Sequence, residues 1–288
     1  MPDNDRLYRF LIENSHVRGE LVHLNATWQA VLERADYPDT VKTVLGEALA
    51  ACALLAATIK FDGSLILQIR GDGPLHLLVV QTTSEGSMRA IARWNNEVPE
   101  QGLHDIFGQG QMVITIEPKD GEAYQGIVAL EGEHLKDALE AYFIQSEQLN
   151  TRLWLAADIN SCGGFLLQEL PSDENDDIRW EHFNHLASTL QPEEILNLPA
   201  QELLHRLFHE EDIRLFDPEP MCFRCTCSKH RISSMLLSLG SDEVHDILEQ
   251  QGNIEVDCEF CNAHYEFDRI DVDALFAPAI GSTTATKH

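Results

Sequence analysis

The chain has 288 residues, 44% of them hydrophobic, enough for one sizeable core and one or two smaller units. Its formal charge is −28, from 48 acidic and 20 basic residues. That field repels phosphate backbones, which argues against nucleic acid as the main partner, and it favours solubility. The first residues, Met-Pro-Asp-Asn-Asp-Arg, are polar and acidic, unlike a signal peptide. The most apolar stretch, Ala48 to Ile59, is short for a bilayer and reads as a buried helix. A cytoplasmic protein without a membrane partner is expected.

Residues 1–171 read as an N-terminal α/β domain with a mainly antiparallel sheet, within an α+β chain. Thr40 to Lys60, rich in Ala and Leu and free of Pro, predicts a long buried helix. Strand signals follow at Ser64–Arg70, Leu75–Val80, Met88–Trp94, Met112–Ile116 and Tyr124–Leu130. The short Gly-rich turns between them suit antiparallel pairing. Leu135 to Gln148 predicts a helix. Thr151–Ala157 predicts a strand, and Gly163-Gly164 leads into another, Phe165–Leu170.

Composition shifts at Pro171. Residues 172–220 read as an acidic helical linker, with 13 acidic residues against 3 arginines between Pro171 and Pro220. Ser172 to Asp177 is the expected hinge. Trp180, Phe183, Leu186 and Leu190 form one apolar stripe, and Leu203, Leu204, Leu207 and Phe208 form another after Pro199. Apolar faces on so repulsive a stretch predict a metastable segment that needs a neighbour to stay folded. The plain alternative is an ordinary helical connector.

Residues 221–276 form the third expected unit. Ile232, Met235, Leu236 and Leu239 have helical spacing, and Gly240 stops that helix. Ser241 is the expected cap of the next, with Val244, Ile247 and Leu248 as its apolar face. Ile254, Val256 and Cys258, then Tyr265 and Phe267, alternate as in a hairpin. The tail, 277–288, is expected to be disordered.

The chemistry sits in the cysteines. Cys225-Thr-Cys227 and Cys258-Glu-Phe-Cys261 are two close pairs thirty residues apart. Each pair can grip one side of an ion while the intervening segment folds back, as a tetrahedral thiolate site requires. Four sulfurs leave no open position, which argues against hydrolytic zinc and points to a closed Zn(2+) site. Such a site is either a structural clip or a switch, because oxidised sulfurs no longer ligate. A bridge across the single residue between Cys225 and Cys227 would be strained, and strained bridges are the labile kind. Cys222 makes a further Cys-x-x-Cys with Cys225. It is a rival ligand, a partner for disulfide reshuffling or a bystander, and the complete set of four favours the bystander. His230 and His264 read as solvated. Cys52 reads as a small buried hydrophobe and Cys162 as a packed turn cysteine.

No Walker-type phosphate loop, Gly-x-Ser-x-Gly elbow or His-Glu-x-x-His occurs, so the chain is not read as an enzyme or as ATP-driven. Two other classes stay open. A thiol–disulfide oxidoreductase would use Cys258 and Cys261, although it wants them at a helix N-terminus. A constitutive zinc-domain adaptor would bind a partner protein regardless of redox state.

Phe223-Arg-Cys-Thr-Cys-Ser228, Ser241-Asp-Glu-Val-His-Asp-Ile-Leu248 and Ile254-Glu-Val-Asp-Cys-Glu-Phe-Cys-Asn-Ala-His-Tyr-Glu-Phe267 resemble the zinc domain of the bacterial redox-regulated heat-shock chaperonins, the thirty-three-kilodalton holdases. The order of the three regions also fits. The resemblance implies a stress-response chaperone that holds unfolding clients without ATP. It implies one zinc per chain on Cys225, Cys227, Cys258 and Cys261 in the reduced, inactive state. It further implies activation by oxidants, with Cys225–Cys227 and Cys258–Cys261 disulfides, zinc release, unfolding of the zinc domain and linker, and a homodimer when oxidised. Cys222 departs from the family's four-thiol pattern.

Overall fold

A computed structural model describes residues 5–100, 102–171 and 177–277. Residues 172–176 of the expected hinge and 278–288 of the expected tail lie outside the described residues. The chain divides into two compact units, Met1–Cys225 and Thr226–His288. It is α+β.

The elements of the first unit run β1 (Arg6–Ile12), β2 (Val17–Leu24), α1 (Ala26–Leu32), α2 (Asp39–Thr58), β3 (Gly63–Arg70), β4 (Leu75–Thr83), β5 (Ser87–Trp94), α3 (Leu103–Phe107), β6 (Gln111–Pro118), β7 (Tyr124–Ala129), α4 (Leu135–Tyr142), β8 (Thr151–Ala157) and β9 (Cys162–Glu169). Then come α5 (Asp177–Ala187), α6 (Pro192–Asn197), α7 (Ala200–Phe208) and three very short strands, β10 (Ile213–Leu215), β11 (Glu219–Pro220) and β12 (Cys222–Phe223). They build two six-stranded sheets. The first has the order β10-β1-β2-β9-β8, with β11 also on β1, and the second the order β12-β5-β4-β3-β6-β7. Neighbours are antiparallel except β12 and β5.

Helix α2 is the centre of the main core. It is long and apolar enough to cross a bilayer by length and composition, yet most of its residues are buried inside the fold. Leu45, Leu49 and Leu54 of α2 share one cluster with Leu65, Leu67 and Val80 of the second sheet and with Val22, Leu153 and Leu166 of the first. Each strand alternates its side chains between faces, so the first sheet has a second apolar face. That face carries Tyr8, Phe10 and Ile12 of β1, Leu21 of β2, and Phe165 and Leu167 of β9. Helices α5 to α7 cover it. Trp180, Phe183, Leu203, Leu204, Leu207 and Phe208 are all buried there. Phe208 packs on Phe10, Phe165 and Phe183 at ring-centroid distances of 6.3, 6.4 and 6.1 Å.

Gly163 and Gly164 explain how two helical layers approach one strand. A Cβ on Gly164 would lie 2.8 Å from Leu54 Cδ1 of α2, and a Cβ on Gly163 would lie 3.0 Å from Ile195 Cγ2 of α6. Back to back, the two glycines admit a helix on each side.

The segment after α7 closes both sheet edges. β10 and β11 pair with β1, and the Arg214–Glu13 ion pair at 2.6 Å and an Arg9–Glu219 pair reinforce them. β12 then pairs with β5, with Cys222 N–H donating to Gly86 O at 2.9 Å and Arg224 N–H to Met88 O at 2.9 Å. Open strand edges are sites for unwanted pairing, and this strap blunts two of them.

The expected helix over 135–148 is shorter. After Tyr142 it widens into a π turn, Phe143–Glu147, which leaves 144–147 exposed while Tyr142 and Phe143 both face inward.

Glu20 is buried on β2, 1% exposed, and among the described residues its Oε2 has no hydrogen-bond partner. Burial pushes its pKa up to about 7 against the opposing fields of Arg18 and Arg9. A carboxyl with a raised folded pKa contributes its stability in full below about pH 4.5 and loses it as pH rises through about 7. Glu20→Gln is therefore expected to flatten this decline, on the order of 1.4 kcal/mol per pH unit across that window. Urea midpoints of the two proteins, compared near pH 5 and pH 8, check it; the variant should gain at the higher pH.

Candidate metal centre

The second unit is small. It contains α8 (Lys229–Leu239), α9 (Ser241–Gln251), the hairpin β13 (Ile254–Asp257) and β14 (His264–Phe267), and α10 (Arg269–Phe276). Ser228 caps α8, its hydroxyl accepting from Arg231 N–H at 3.2 Å. Gly240, at φ +97°, both ends α8 and stands at the N-cap of α9, so Ser241 is the first helical residue rather than the cap. The core is one cluster: Ile232, Leu236, Val244, Leu248, Ile254, Phe267 and Val272. The helical stripe of α8 is only half used, because Met235 and Leu239 are 47% and 43% exposed. So little core does not hold roughly fifty residues firmly without a staple.

The staple is at hand. The Sγ atoms of Cys225, Cys227, Cys258 and Cys261 all lie within 4.8 Å of one another. Cys227 directly precedes the α8 cap. Cys258 and Cys261 sit at the tip of the β13–β14 hairpin, where Cys258 N–H donates to Ala263 O at 2.9 Å. Cys261 N–H and Asn262 N–H both donate to Cys258 O, at 3.2 and 2.7 Å, and Asn262 takes the left-handed conformation that this turn needs. Cys227 and Cys261 approach to 3.3 Å. A tetrahedral four-thiolate site with metal–sulfur bonds of about 2.3 Å has sulfurs roughly 3.8 Å apart. The donor set and its spacing therefore fit a closed metal site, and their softness is compatible with zinc.

Two residues that the motif does not reveal touch the sulfurs. Tyr265 Oη donates to Cys227 Sγ at 3.1 Å, and that bond pushes the phenol pKa up to about 12. Arg89 Nη1 donates to Cys225 Sγ at 3.6 Å from 136 residues away in sequence. Tyr265 lies on the predicted hairpin and so had a local signal; Arg89 had none.

Among the described residues, Cys222 is not part of the cluster. It is exposed on β12. His230 is exposed, and His264 pairs with Asp257 Oδ1 at 2.8 Å, which raises its pKa. Cys52 and Cys162 are fully buried. Burial pushes the Cys52 thiol up to about 12 and Cys162 well above its ordinary value, which makes both poor thiolates.

The profile of the Hsp33 protein family matches residues 5–268. This chain belongs to the Hsp33 family. The 33 kDa chaperonin of Nitrosococcus oceani is 52% identical over 289 residues, covering all of both chains. That of Pseudomonas savastanoi pv. phaseolicola is 47% identical, covering 100% of this chain and 99% of its own. The crystal structure of the 33 kDa chaperonin, a heat shock protein 33 homologue, from Thermotoga maritima matches with a TM-score of 0.79 at 22% identity. It covers 94% of this chain and 97% of that one and supports the fold.

Cys258→Ser removes one of the four candidate ligands. Metal content per chain is expected to fall, and α8 to α10 are expected to lose hydrogen-exchange protection while α2 keeps its own. Elemental analysis with peptide-resolved exchange checks both.

Proposed function

We propose that this protein is a redox-controlled, ATP-independent holdase of the Hsp33 family, silent when its four thiols hold one zinc ion and active once they are oxidised. The observation that carries this reading is the convergence of Cys225, Cys227, Cys258 and Cys261 within 4.8 Å at the edge of a unit with a minimal core. Bound by four thiolates, zinc supplies a cross-link that stands in for missing hydrophobic burial.

The chain's own residues supply the rest. Peroxide takes two electrons from each thiol pair. Cys225 and Cys227 close one disulfide, Cys258 and Cys261 a second, and each peroxide is reduced to two waters. Disulfide sulfurs no longer ligate, so the small unit loses its staple. Cys225 closes the strap formed by β10, β11 and β12. With the strap loosened, the like charges of the acidic segment oppose the packing of α5 to α7 on the first sheet. Their release exposes the aromatic face built on Phe10 and Phe165, an apolar surface suited to unfolding clients. The metastable linker over 172–220 and the domain bounds 1–171 and 221–276 belong to this proposal, as does a homodimer in the oxidised state.

Light scattering of a thermally unfolding client tests the reading. The reduced, zinc-loaded protein is expected to leave aggregation unchanged. The same protein, treated with peroxide at elevated temperature, is expected to suppress aggregation and to release zinc to a colorimetric chelator. Equal behaviour of both forms would return the cysteines to a structural role and favour the constitutive adaptor. In the same assay Cys222→Ser is expected to keep one zinc per chain and full activation; loss of either makes Cys222 part of the switch.

A further inference from the structure

The first unit contains a cleft unrelated to the cysteines. It lies where the C-terminal end of α2 meets both sheets and has a volume of about 410 Å³. That is within the range of roughly 300–1,000 Å³ typical of small-ligand sites. Its walls are apolar, with Leu55 of α2, Leu65, Ile114 and Ile116 of the second sheet, and Phe143 of the π turn.

The polar groups are few and convergent. Arg18 of β2 enters from the first sheet. Its Nε donates to Gln168 Oε1 at 3.0 Å, and its Nη2 donates to the same oxygen and to Thr58 O at 3.0 Å. Gln168 is fully buried and is itself oriented by donating Nε2–H to Thr151 Oγ1 at 2.8 Å. The guanidinium is thus held in place by neutral oxygens. The nearby Glu20 carboxyl, raised to about pH 7 by burial, only partly balances it at neutral pH. Lys60 adds a second cation at the rim. Among the described residues the one acidic lining group, Glu147, already accepts the Tyr142 hydroxyl at 2.9 Å. The π turn that supplies Phe143 and Glu147 is a second, independent sign, since such widened turns are frequent at functional sites.

We propose that this cleft binds a small amphipathic monocarboxylate, its carboxylate on Arg18 and its apolar tail between the two sheets. A preoriented guanidinium is the group best matched to a carboxylate, and the apolar walls reward an alkyl or aromatic tail. The inference is independent of the redox reading, because every residue it uses lies in the first unit and none is a cysteine.

Isothermal titration of the reduced full-length protein with decanoate, below its micelle concentration, tests it. One saturable site per chain is expected, with decylammonium bound about tenfold more weakly or worse. Arg18→Gln is expected to erase that preference, and Ile116→Trp, which fills the cleft, to abolish binding. Absence of saturable decanoate binding overturns the proposal, as does equal affinity for decylammonium in the unmodified protein. Unchanged binding in a folded Ile116→Trp variant overturns the location.

Discussion

The first sheet is apolar on both faces, and the chain must cover each of them. One face is closed by α2, which also serves the second sheet and is sealed in the largest cluster of the molecule. The other is closed by α5 to α7, which lie within a stretch of 13 acidic residues against 3 arginines between Pro171 and Pro220, although residues 177–208 themselves carry 5 and 2 of these. Hydrophobic burial holds those helices down against a modest excess of negative charge of their own. The Arg206–Glu194 pair between α6 and α7 relieves some of this, but ion pairs at the surface contribute little, about 0–1 kcal/mol. The two covers of one sheet thus differ in kind: one is a core helix, the other a packed layer within an acidic stretch.

The strap after α7 links that layer to the cysteines through the backbone. β10 and β11 lie on β1, β12 lies on β5, and Cys225 follows two residues later. Strands of two or three residues have no cooperativity of their own. On the proposed mechanism they hold because their ends are held, and the four-sulfur cluster is one of those ends. A chemical event at sulfur therefore acts on a segment with little independent stability, which is how a local redox change obtains a long reach in the proposed mechanism.

Much of this was legible in the sequence. The thiol spacing, the α2 helix and the strands from β3 to β8 carry strong periodicity or composition signals, and the stripes at Trp180 and Leu204 are the faces that bury. β1 and β2 are less legible because β2 is covered on both sides and places Glu20 and His23 in buried positions, which breaks the alternation that marks a half-exposed strand. β10, β11 and β12 exist only through pairing with distant strands and have no local pattern at all. The same holds for Arg89 at Cys225, which the fold brings in from the second sheet. Cys222 and Cys225 look alike in sequence as a Cys-x-x-Cys pair, and only the register of β12 on β5 separates an exposed strand residue from a cluster sulfur.

In the proposed mechanism, oxidation at the four sulfurs undocks α5 to α7 from the first sheet without melting the core around α2. Hydrogen exchange, resolved by peptide and recorded before and after peroxide treatment, measures this directly. Protection is expected to be lost across residues 177–220 and 226–277 and kept across Asp39–Thr58. Protection lost in 226–277 alone, with α5 to α7 unchanged, would contradict it.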